Sequence, residues 1–135
     1  MTPKPISRFH RNEDGASTVE TVLWIPLFIA FFALLFDIAM IFNGQAATLR
    51  VVQEANRDYA VGQITTEAAT QTRVKDNLAK INITASSIVT SENAGVISTR
   101  VEIPAAELGS LGWFKAFGEL KIDVTAEQTV ENMES

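Results

Sequence analysis

The chain has 135 residues, a net charge of −5 and no cysteine, which excludes disulfides, thiolate metal sites and cysteine nucleophiles. Its one histidine, His10, stands near the start, so the rest of the chain has no imidazole for acid–base or metal chemistry. After Gly15 there are 8 Lys and Arg against 14 Asp and Glu with no basic cluster, which argues against a nucleic-acid partner because phosphates demand a basic face.

Met1 to Asp14 carries two prolines and scattered charge (Lys4, Arg8, Arg11, Glu13, Asp14) without apolar periodicity. It reads as an unstructured leader whose basic residues hold it in the cytoplasm. The run from Thr21 to Phe42 follows, 22 residues in which Asp37 is the one charge. As a helix it covers roughly 33 Å, against about 30 Å for a hydrocarbon core, so it spans a bilayer once. Gly44-Gln45-Ala46 imitates a conventional signal-peptide cleavage site, but the apolar run before it is too long for one.

Four residues punctuate this stretch. Gly15 closes the leader, and Glu20 stands one residue ahead of the apolar run. Ser17 and Thr18 can cap the first free helical amides, and Glu20 suits the positive end of the helix dipole. Yet a carboxylate so close to hydrocarbon needs a partner or a retreat to the headgroups. Pro26 removes one backbone donor and is expected to kink or locally loosen the helix. Asp37 lies near the far end of the span; Asp is short and snorkels poorly, so pairing with another subunit is a reasonable expectation.

Gly15, then Glu20 as the fifth residue after it, then an apolar helix, resembles the processing site of type IV-like prepilins. The further spacing to Pro26 and Asp37 resembles the TadE-type minor pilins, or pseudopilins, of tight-adherence (Tad) systems. The resemblance covers Gly15 to about Gly62; Thr21 stands where Tad major pilins carry Tyr, which favours a minor component. It implies cleavage between Gly15 and Ala16 by a prepilin peptidase. It also implies pairing of Glu20 with the freed amine of Ala16 on a neighbouring subunit. The implied partners are other pilin subunits, the peptidase, the Tad inner-membrane assembly platform and the lipid bilayer. The implied role is in assembling a pilus for surface adhesion, with no cofactor and no metal. The alternative is an anchored periplasmic binding module that never enters a filament.

Beyond Gly44 the chain stays helical in period, with Leu49, Val52, Asn56 and Tyr59 spaced by three or four. One helix from about Ser17 to Val61 is expected, stopped by Gly62. A weaker helix follows over Thr65 to Lys80, with Val74 and Leu78 on its apolar side. From Ile81 the period changes to 2. A strand is expected over Ile81 to Thr90, a turn at Ser91 to Gly95, and a second strand over Val96 to Ile103 with Ile97, Thr99, Val101 and Ile103 on one face. The last strand alternates Leu120, Ile122, Val124 and Ala126 with polar residues. Between the last two strands, Trp113, Phe114 and Phe117 form an aromatic cluster that either plugs the core or docks a partner.

The expected architecture is α+β: a long transmembrane-plus-amphipathic helix, a second short helix and a three-stranded antiparallel sheet. Its parts are a leader (1–15), a transmembrane helix (16–43), a helical stalk (44–80) and a small β-rich domain (81–135). No catalytic constellation is legible: the carboxylates are scattered, no serine has a histidine to activate it, and no glycine-rich loop joins a strand to a helix. An assembly protein is expected, not an enzyme.

Overall fold

The computed structural model describes residues 13–112, 115 and 119–130. The expected leader over 1–15 therefore lies almost wholly outside the described residues, and the aromatic cluster of Trp113, Phe114 and Phe117, as plug or docking surface, entirely so. Six elements follow in order: α1 (Glu13–Ala60), α2 (Glu67–Lys80), β1 (Ser87–Asn93), β2 (Val96–Pro104), α3 (Ala105–Leu108) and β3 (Lys121–Thr129). The class is α+β, as the change of period from 3.6 to 2 implies. The chain divides into two compact units, residues 1–35 and residues 36–135.

The first unit is helical over its described part, and α1 continues unbroken through Pro26. Its large apolar side chains, from Val19 to Leu35, are almost all exposed, and Phe36, the next residue, is exposed too. Because the helix begins at Glu13, Ser17 and Thr18 lie inside it, where the Ser17 carbonyl accepts from the Thr21 hydroxyl at 2.9 Å. They are not the caps that the sequence suggested.

The second unit holds the core. Along α1 its buried positions are Asp37, Gly44, Thr48, Val52, Ala55, Asn56 and Ala60, one face at helical spacing. The helix stops where Gly62 takes φ +77°, and the amides of Val61, Gly62 and Gln63 return to carbonyls of the last turn. Thr66 then caps α2 by accepting from the Ala69 amide at 3.2 Å. Val74 and Leu78 are buried, and Thr70 joins them because its hydroxyl is satisfied by the Thr66 carbonyl.

The sheet has order β1-β2-β3, and both pairings are antiparallel. Ile97, Thr99, Val101 and Ile103 of β2 are all buried, as are Val124 and Ala126 of β3. The opposite face carries Arg100, which is ion-paired with Asp123, and Lys121 at 3.8 Å from Glu102. One apolar face and one wet face is the expected antiparallel arrangement.

Two boundaries differ from the periodicity. The first strand begins at Ser87, not Ile81, because residues 81–83 close the preceding helix and 84–86 lead from it to the sheet. Asn82 takes φ 58°, the Ile83 amide returns to the Leu78 carbonyl at 3.0 Å, and Ile83 is buried beside Leu78. At its other end β1 runs on to Asn93, because the hairpin needs only Ala94 and Gly95, both at positive φ, to reverse. The short α3 has no periodic signal in four residues; it turns the chain after Pro104 and buries Ala105 and Leu108.

Candidate functional site

Glu20 and Asp37 are the acids that a helix of this composition must account for. Glu20 is exposed, and among the described residues it makes no hydrogen bond or ion pair. Gly15 is also exposed, with nothing within 4 Å of where a Cβ would stand, and Ala16 follows it in the helix. The Gly15–Ala16 peptide and Glu20 thus lie within the first two turns of α1 with open surroundings at Gly15 and Glu20.

Asp37 is the opposite case. Its side chain is wholly buried in the second unit, and its Oδ1 accepts from the backbone amides of Ser110 (2.9 Å) and Leu111 (2.8 Å). These two bonds hold the segment just after α3 against the helix. From the sequence, pairing of Asp37 with another subunit is an expectation; within its own chain Asp37 is bound by these two amides.

One and two turns further along, Gly44 and Thr48 complete this contact. A Cβ on Gly44 would stand 2.6 Å from Leu108 Cδ2, so glycine is what lets the α3 leucine reach the helix. The Thr48 hydroxyl donates to the Gly44 carbonyl at 2.9 Å and is satisfied though buried. In the sequence Gly44 marks only the change from apolar to polar; its packing role is not legible there.

The second polar feature is a relay centred on Asn56. Thr90, Thr99 and Ala126 are register partners across the three strands. The Thr99 hydroxyl donates to Asn56 Oδ1, which leaves it to accept from Thr90, 3.0 Å away. Asn56 Nδ2 then donates to the Ala126 carbonyl at 3.0 Å. One helical side chain is thereby connected to all three strands. A slip of one residue in any strand breaks the row, so the relay specifies register as well as adding stability. Sequence reasoning placed Asn56 on the inward face without its role; an asparagine inside an apolar stripe was the available signal.

At the far end of α1, Asp58 pairs with Arg73 of α2 at 3.2 Å. The Tyr59 hydroxyl donates to Glu92 Oε2 at 2.7 Å. That bond, followed by burial and the charges of Glu92 and Glu67, pushes the phenol up to about 12. The groove between α2 and the start of β1, about 500 Å³, is lined by Gln71, Thr72, Lys75 and short side chains, with no acid or histidine among its lining residues. Among the described residues no group of three or more His, Cys, Asp or Glu could hold a metal ion.

Among the described residues one helix is long and apolar enough to cross a membrane, which suggests a single-pass anchor carrying a small α+β domain. Residues 15–57 match the family model described as TadE-like protein. The match covers about a third of the chain, and over that stretch of α1 the chain is similar to TadE-like proteins. No curated protein and no solved structure matches the chain.

Proposed function

We propose that the chain is a minor pilin, or pseudopilin, that takes part in assembling a Tad-type pilus for surface adhesion. Its leader is cytoplasmic, its helix crosses the inner membrane once and its α+β domain lies in the periplasm, from where the subunit can pass into the filament. A prepilin peptidase cuts between Gly15 and Ala16, and the Tad assembly platform and other pilin subunits are its partners.

The carrying observation is that Gly15, Glu20, Pro26 and Asp37 stand on one unbroken helix whose 15–57 segment is TadE-like. Glu20 supports the reading, because it is exposed at the edge of an apolar run with no partner among the described residues. Once Ala16 has a free amine, the Glu20 of one subunit and that amine on the next neutralise each other in a low dielectric. The desolvation cost makes other registers unfavourable. Pro26 marks where the helix can loosen as subunits pack.

Intact-mass measurement of protein extracted from membranes tests the cut: the expected product begins at Ala16, and retention of Met1 refutes it. Glu20→Ala should leave insertion and folding intact while abolishing co-purification with other pilin subunits. Normal filament assembly by that variant refutes the pairing.

A further inference from the structure

We infer that the outer edge of β3 is a strand-addition site, which takes an extended segment of another polypeptide carrying an apolar residue and an acid four positions apart on one face. The sheet has two edges, and the chain closes only one of them. On β1 the Glu92 amide is bound by Glu67 Oε1 at 2.9 Å, and Thr90 is only 3% exposed. The edge of β3 is open among the described residues.

Which groups β3 leaves open follows from the register. The Ala105 amide donates to the Leu120 carbonyl and the Val130 amide to the Gly95 carbonyl, both at 2.8 Å, so the even-numbered residues of β3 turn their main chain toward β2. Lys121, Asp123, Thr125, Glu127 and Thr129 therefore turn theirs outward, and all five are exposed. Such a row of unpaired amides and carbonyls is a template for one more strand.

The flank of α1 decides what that strand must carry. Between α1 and β3 lies a recess of about 380 Å³ whose walls include Ala46, Leu49 and Val124, and further along the same strand one of about 330 Å³ walled by Arg57, Val61 and Gln128. Side chains alternate along a strand, so an added residue beside Val124 and another four positions away, beside Gln128, both face α1. The first meets the leucine and alanine. The second meets Arg57, which is exposed and makes no ion pair among the described residues. An aliphatic side chain complements the first place and a carboxylate the second. All of these groups lie in the second unit, so the site stands whether or not the chain enters a pilus.

The probe is a blocked nine-residue peptide with threonine at the odd positions and valine, leucine, valine and glutamate at the even ones, together with its reversed sequence, because a strand adds in either direction. It is titrated into the full chain in detergent. At ten times the dissociation constant of the peptide that binds, amide exchange should slow about tenfold at Asp123, Thr125 and Glu127, and not along β1. Glutamine in place of the glutamate should weaken binding, and Arg57→Glu should make the chain prefer a peptide with lysine there. Thr125→Pro removes an amide that points only outward, so folding survives and binding is lost. Slowing that persists in Thr125→Pro, or a peptide preference untouched by Arg57→Glu, overturns the site, as does failure of both peptides to slow any β3 amide. Dimerisation of the peptide-free chain that Thr125→Pro abolishes would place a second copy on the edge and overturn its assignment to another polypeptide.

Discussion

The two halves of α1 are the same secondary structure made for different surroundings. From Val19 to Phe36 the large apolar side chains are exposed nearly all round, as in a helix apolar enough to cross a membrane. From Asp37 to Ala60 one face is buried by the domain, and that face admits an aspartate, a threonine and an asparagine. The difference is one of available partners. Asp37, Thr48 and Asn56 are buried because their own chain supplies the bonds that they need, whereas Glu20, at the edge of the first half, has no such bond among the described residues. A polar residue in a long helix is therefore read by what the rest of the chain brings to its height, not by its type.

The contrast breaks most visibly in the core. Ile103→Ala removes a fully buried side chain and should cost about 2–5 kcal/mol, from a total of about 5–15 for a domain, making the second unit protease-sensitive. Phe28→Ala, on the exposed half, should leave the unfolding midpoint in detergent unchanged. A comparable loss from Phe28→Ala would erase the distinction between the halves.

Asn56→Ala comes next. It leaves the Thr99 hydroxyl and the Ala126 carbonyl without their partner in a dry core, at about 1–3 kcal/mol for each unsatisfied group. Chemical denaturation of Asn56→Ala and Thr99→Val, singly and together, measures the coupling. Additive losses would show that the relay is not a unit.

Asp37→Ala should cost less, about 0.5–1.5 kcal/mol, because Ser110 and Leu111 are exposed and water replaces the carboxylate. The sharper readout is amide hydrogen exchange, which should quicken at Ser110 and Leu111 and not elsewhere in the sheet. Glu20→Ala should leave both amides as they are.

The smallest effect lies at the far end of α1. Tyr59 is the only tyrosine, so absorbance reports its ionisation directly. The folded phenol, raised from 10.0 to about 12, contributes stability that is fully present below the unfolded value and lost as pH rises through the folded one. Glu92→Gln should bring the midpoint back toward 10.0. A wild-type midpoint already there would show that the Tyr59–Glu92 bond does not hold in solution.

Local rules written in the sequence were enough for the two longer helices and the inward strand faces. A 22-residue apolar run, Gly62 as a stop, and the alternation of Ile97, Thr99, Val101 and Ile103 each depend on near neighbours or on a simple period, so they are readable one stretch at a time. Where the first strand starts depended on Ile83 finding Leu78, and the partners stand 73 and 74 residues further along the chain for Asp37 and 43 and 70 for Asn56. Gly44 becomes intelligible only with Leu108 against it. Contacts at that separation follow no period, because they are fixed when packed elements meet and every buried polar group must find an acceptor or donor; only the tertiary structure decides which one it is.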